Sequence, residues 1–342
     1  MFEGVAMSEE GLARLEALWK RGTDFLGSKY AILGGAMTWV SERNLVAAIS
    51  NAGGFGVIAC GGMTPDLLAA EIDATRALTD KPFGVNLITL HPALDALIDV
   101  CGEKEVSHVV LAGGLPSGTA IAKIKGYGAK LMCFAPTATL AKKLVRSGAD
   151  AIIIEGMEAG GHIGPVSTSV LAQEILPVIT DVPVFVAGGI GRGEVIASYL
   201  EMGASGVQLG TRFVVAEECI AHEKFKKAFI RASARDAVAS VQVDARFPVI
   251  PVRALKNEGT EKFMATQRDI VARFHGGEVS QEEGQMQIEH FWGGALRRAV
   301  VDGDVETGSV MAGQSVGMVK KVEPTAAIID ELVAQACTYL VA

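Results

Sequence analysis

Short, unbroken apolar runs alternate with longer segments of helical period along most of this chain. The runs are Tyr30–Leu33, Gly56–Ala59, Phe83–Ile88, His108–Ala112, Lys130–Phe134, Ala151–Glu155, Val184–Ala187 and Gly206–Leu209. They are continuously apolar rather than alternating, the mark of strands buried on both faces. Between them lie helix-period stretches such as ERNLVAAISNA, TPDLLAAEIDATRALTD, TATLAKKLVRSGAD and RGEVIASYLEMGA. Eight such strand–helix units predict an α/β fold, a TIM (β/α)8 barrel; an open doubly wound sheet shares the same local pattern.

Two regions depart from this rhythm. Residues 8–20 carry Leu12, Leu15, Leu18 and Trp19 at helical spacing behind Ser8, a residue suited to capping. They predict a helix, within an N-terminal extension spanning 1–29, that closes one end of the core. After Thr211 the strands stop. Residues 217–305 are richer in charge, show no clear strand after PVIPV, and predict a smaller, mostly helical second domain inserted after strand 8. Gly-rich residues 306–319 are expected to pack back on the barrel, and PTAAIIDELVAQACTYL predicts a closing helix. The expected division is therefore an extension (1–29), a barrel (30–216 and 306–342) and a helical substrate or lid domain (217–305).

Composition narrows the class. Apolar residues make up 49%, enough for a large core, and the 40 glycines suit many tight strand-to-helix turns. The net charge of −8, with no basic block, argues against nucleic-acid and anionic-membrane partners. The five cysteines are scattered without a CxxC, so neither a disulfide framework nor a structural metal is expected, and a reducing cytoplasm fits. The acidic N-terminus lacks the apolar core of a signal peptide, and no run is long enough to span a membrane.

Candidate chemistry sits at the strand ends, because TIM-barrel sites form at the C-terminal mouth. Strand 1 leads into Gly34-Gly35-Ala36-Met37-Thr38-Trp39, where backbone could approach a flat ligand. Asn86, in strand 3, could offer a donor and an acceptor to a heterocycle edge. Strand 6 ends in Glu155 and opens a loop, Gly156 to Gly164, that holds Gly160, Gly161 and His162. Of the six histidines only His162 lies in a glycine-rich strand-end loop, where it could act as acid, base or hydrogen-bond donor. Gly188-Gly189 and Gly210-Thr211 follow strands 7 and 8, the usual place of a phosphate site. The glycine spacing at 189–193 fails the dinucleotide fingerprint, and no acid follows at Leu209 to Phe213. These residues suit a phosphorylated cofactor such as FMN, or equally a phosphosugar enzyme.

The segments EGMEAGGHIG (155–164), VAGGIGRGEV (186–195), GVQLGTRFVVAEE (206–218) and GDVETGSVMAGQ (303–314) resemble the FMN-dependent nitronate monooxygenase superfamily. GGAMTWV (34–40), Glu155, VRALKN (252–257) and GSVMAGQ (308–314) resemble most its enoyl-acyl-carrier-protein reductase II branch. The resemblance implies non-covalent FMN. Gly35, Ala36 and Met37 would pass beneath the flavin, with Asn86 and Glu155 beside it. Gly160 and Gly161 would wrap it, Gly188, Gly189, Gly210 and Thr211 would take the phosphate, and Met311 and Gln314 would close the other side. His162 would face the substrate. The implied reaction is reduction of an enoyl thioester C=C by NADH or NADPH, on an acyl chain carried by acyl carrier protein or a small molecule. Oxidation of alkyl nitronates with O2 is the alternative. NADH:quinone reduction and a flavin-free phosphate-binding barrel remain further ones. A homodimer is the oligomer that the resemblance implies.

Overall fold

The eight apolar runs form one parallel sheet in the computed structural model, which describes residues 8–342. In chain order the strands are β1 (Ile32–Gly34), β2 (Gly56–Ala59), β3 (Phe83–Ile88), β4 (His108–Ala112), β5 (Lys130–Phe134), β6 (Ala151–Glu155), a two-residue strand β7 (Gly161–His162), β8 (Val184–Ala187) and β9 (Gly206–Leu209). Spatial order in the sheet is β1-β9-β8-β6-β5-β4-β3-β2. A parallel bridge between Leu33 and Phe55 joins its two edges, so the sheet closes into a TIM barrel. That bridge excludes the open doubly wound alternative. Closure also removes both sheet edges, which would otherwise expose unpaired backbone.

The helix-period stretches lie where their amphipathic patterns put them. In chain order the helices are α1 (Glu9–Leu26), α2 (Arg43–Asn51), α3 (Pro65–Leu78), α4 (Leu94–Glu103), α5 (Gly118–Gly126), α6 (Ala138–Arg146), α7 (Thr168–Ile175), α8 (Gly193–Glu201), α9 (Glu223–Arg231), α10 (Glu258–His275), α11 (Gln281–Arg297) and α12 (Thr325–Leu340). Side-chain caps set several of their starts. Ser8 Oγ accepts from Gly11 N–H at 3.0 Å, and the hydroxyls of Thr64, Ser117 and Thr137 cap α3, α5 and α6. The first run is shifted: strand 1 spans Ile32–Gly34, while Tyr30 and Ala31 lead into it.

Helix α1 plugs the N-terminal end of the barrel. Phe25 at its last turn packs on His108 and Phe185, and His108 packs edge-on against Phe55. Lys130 lies over the Phe25 ring and donates to the Phe25 carbonyl. This floor leaves the opposite, C-terminal mouth as the open end.

The segment after β9 contains strands as well as helices. Strands β10 (Ala237–Ala239) and β11 (Val252–Leu255) pair antiparallel, and β11 pairs antiparallel with β7 of the strand-6 loop. The backbone beyond PVIPV is thus a ladder strand, VRAL, that the absence of alternation concealed. Phe225 and Phe229 of α9 belong to the main core. Phe247, Val252, Phe263, Ile288 and Trp292 form a second, smaller cluster under α10 and α11. The Glu217-Glu218 pair, which the sequence suggests as a solvated helix start, lies between helices instead. The Glu218 carboxylate accepts the N–H and hydroxyl of Thr325 at the start of α12.

Candidate active site at the barrel mouth

The candidate site residues lie at the C-terminal side of the barrel, in the last halves of its strands, on its strand-end loops or on the returning segment 309–318. The loops are stitched together by three contacts. The Thr168 hydroxyl donates to Glu158 Oε2 at 2.8 Å and lies 3.1 Å from the Gly188 carbonyl, which ties the β6 loop to the β8 loop. The Gln314 N–H donates to the Glu158 carbonyl at 2.8 Å. The Gly313 N–H donates to the Thr211 hydroxyl at 3.0 Å. The returning segment thereby lies across the loops after β6 and β9. A Cβ on Gly160 would come 2.6 Å from Gly313 N, so only glycine permits this crossing.

At the β1 end, Gly35 N–H donates to the Leu209 carbonyl, and Ser41 Oγ bridges Met37 N–H and the Gly35 carbonyl. This fixes the Gly35-Ala36-Met37 backbone against the end of β9, with the Met37 sulfur beside Gly210. Gly188 and Gly189 take left-handed backbone, with φ of 95° and 71°. The Gly189 N–H meets no acceptor within the described residues.

Three polar side chains at the mouth have unused hydrogen-bonding capacity. Asn86 lies two residues before the end of β3 and is buried, and its single bond, to the Val110 carbonyl, is a long 3.4 Å. Glu155 is half-buried, and burial alone pushes its carboxyl up to about 8, with no hydrogen bond or cation to offset it. At neutral pH it is therefore a neutral acid and a donor. Gln208 of β9 is buried beside Gly35 without a side-chain partner among the described residues. Sequence reasoning missed Gln208. Its signal was a lone polar residue within an apolar strand, GVQL. Buried groups of this kind normally find partners. An aromatic heterocycle with polar edges is the kind of group that would satisfy these three, and the residues present fit a flavin.

Arg212 is not among the groups turned to the mouth. Its guanidinium donates to the Met318 carbonyl and pairs with Glu331 at 2.6 Å, so it braces α12.

His162 lies at the rim. Its backbone pairs in register with Val252, and its imidazole is half-exposed with Nε2 3.4 Å from Glu289 Oε1 on α11. Glu289 could not be found from sequence, since it stands 127 positions after His162 with no periodic link to it. Arg253, next to Val252, is buried and donates to the carbonyls of Met157 and Ala237. Met311 packs against both hydrophobic clusters, with its sulfur on the side of Gly161 where a Cβ would stand. No helix among the described residues is long and apolar enough to cross a membrane.

Comparison with known proteins agrees with this geometry. The family model described as nitronate monooxygenase matches residues 20–99 and 94–335. A Mycobacterium tuberculosis protein named (3aS,4S,5R,7aS)-5-hydroxy-7a-methyl-1-oxo-octahydro-1H-indene-4-carboxyl-CoA dehydrogenase is 30% identical, covering 93% of this chain and 96% of its own. A probable nitronate monooxygenase of Staphylococcus saprophyticus is 29% identical, over 82% of this chain and 92% of its own. Among solved structures, FabK from Thermotoga maritima superimposes with a TM-score of 0.83 at 38% identity, over 94% of this chain and 96% of that one. The nitroalkane oxidase of Streptomyces ansochromogenes does so at 0.76 and 27%, over 93% and 99%. Strand-end glycines, unfilled polar groups at the mouth and a family model spanning almost the whole chain converge: this chain belongs to the nitronate monooxygenase family and is an oxidoreductase built on a TIM barrel.

Proposed function

We propose that the protein uses FMN and NADH or NADPH to reduce the C=C bond of an enoyl thioester. One observation carries this reading. Two of the segments that resemble the enoyl reductase II branch, 252–257 and 308–314, are hydrogen-bonded to each other, and 252–257 also to the superfamily loop 155–164, around the mouth. Segment 155–164 bonds to 252–257 through His162–Val252 and through Arg253 to Met157, and Leu255 N–H donates to Val310 of 308–314. The likeness to FabK and to a relative named for a carboxyl-CoA substrate supports the thioester class.

Bound FMN would supply two-electron transfer. The chain's own groups do the rest. Gly35, Ala36 and Met37 present backbone to one face of the flavin. Asn86, Gln208 and the neutral acid Glu155 satisfy its polar edges, while Gly188, Gly189, Gly210 and Thr211 take the phosphate. Gly160, Gly161, Met311 and Gln314 close the opposite side and exclude water. His162, oriented by the β7–β11 pairing and by Glu289, polarises the thioester carbonyl or delivers a proton beside it. We read segment 217–305 as the cover that carries Glu289 and shapes the substrate space.

Nitronate oxidation is the second reading, favoured by the names of two relatives. An anaerobic visible spectrum separates the two. A flavin band that bleaches with NADH or NADPH and returns on adding an enoyl thioester is the expected result. A band that neither nucleotide bleaches but an alkyl nitronate does would establish the second reading. No flavin after incubation with FMN would overturn both.

A further inference from the structure

A groove of about 380 Å³ opens beside the site, between the β10–β11 ribbon and helices α10 and α11. Its floor is apolar, from Val238, Val252, Phe263, Met264 and Trp292, with the Phe263 and Trp292 ring centroids 4.0 Å apart and the rings tilted. Two cations line it, Lys256 and Arg268, against one carboxylate, Glu261. Neither cation forms an ion pair or side-chain hydrogen bond among the described residues, whereas most cations of α10 and α11 are paired. Trp292 is almost fully buried, and its indole N–H has no acceptor. The groove neighbours the rim of the mouth. Val252 pairs in register with His162, and Trp292 stands one helical turn beyond Glu289.

We propose that this groove seats the phosphate-bearing pantetheine arm of an acyl thioester substrate. The inference rests on the thioester reading above and deepens it. The arm's chemistry matches the groove in order. Its methylene and gem-dimethyl carbons suit the apolar floor. Its phosphate suits the unpaired Lys256 and Arg268. The arm then runs along β11 with its thioester end toward His162.

Calorimetric titration of the flavin-supplemented full chain with pantetheine 4′-phosphate and with pantetheine tests the site without requiring turnover. The phosphate form is expected to bind more tightly. The double charge reversal Lys256→Glu/Arg268→Glu, on exposed side chains, is expected to weaken it about tenfold and leave pantetheine unchanged. Equal binding of the two ligands by the parent chain, or equal binding of the phosphate form by both proteins, overturns the proposal. In turnover, the reversal should raise KM for an enoyl-CoA with kcat held, and leave an N-acetylcysteamine thioester unaffected. An equal rise for both thioesters also overturns it. If no enoyl thioester is reduced while the calorimetric difference persists, the groove stands and the reduction reading falls.

Discussion

His162 and Glu155 carry the sharpest residue-scale consequences, because each is set by its surroundings rather than by its type. His162 is half-exposed and held by a strand pair and Glu289, so removing its imidazole leaves the mouth intact. His162→Ala is expected to lower kcat on the identified substrate about 100-fold while FMN content stays at the parent level; full activity in the variant would end its proposed role. Glu155 is held protonated by burial up to about 8. Its unfolded form ionises near the ordinary carboxyl value. As pH rises from there through 8, the unfolded chain has already lost a proton that the folded chain keeps, so folding stability falls. Glu155→Gln removes that term. In flavin-free thermal melts the variant should gain on the parent between pH 5 and pH 8, and a gap that does not grow with pH would contradict the buried neutral acid. The sequence pointed to Glu155 as a strand-end residue, but its ionisation depends on desolvation that only the closed mouth creates.

At the scale of elements, α1 and the barrel floor depend on one buried imidazole. His108 stands at the start of β4, with Nε2 2.9 Å from the Phe25 carbonyl, and burial lowers its pKa to about 4. The unfolded imidazole takes up a proton below about 6.5, while the folded one resists until about 4. Between those values the unfolded state binds more protons, so stability falls as pH falls, by about 3 kcal/mol in all. Denaturant melts from pH 7 to pH 4 should show that slope, and His108→Leu should flatten it; an unchanged slope would move the acid sensitivity elsewhere. The strands of the barrel were legible almost to the residue because two-sided burial leaves a run of apolar residues. Strands β7, β10 and β11 were not. They are two to four residues long and defined by pairing with partner segments rather than by a run of their own.

For the whole molecule, the mouth is a set of loops from separate strands, stitched by Glu158, Thr168, Thr211 and Gln314. A ligand that engages all of them binds the folded state alone and stabilises it by mass action, by about 2.7 kcal/mol at a hundredfold excess over Kd. FMN is therefore expected to raise Tm in a concentration-dependent way. A Tm indifferent to FMN would mean that the unfilled groups at the mouth serve another ligand.

The sequence by itself determined the eight strand–helix units, their glycine-lined strand ends and the place of His162 in a strand-end loop, because burial period and turn chemistry are local properties. Tertiary structure alone decided three things. Closure through Leu33 and Phe55 made the sheet a barrel. The fold of segment 217–305 brought Glu289 to His162 and opened the groove beside Trp292. The mouth left Asn86, Glu155 and Gln208 short of partners, so that one of them keeps its proton. Each depends on which distant segments meet, and on how much water their meeting excludes, and neither is written in the period of a chain.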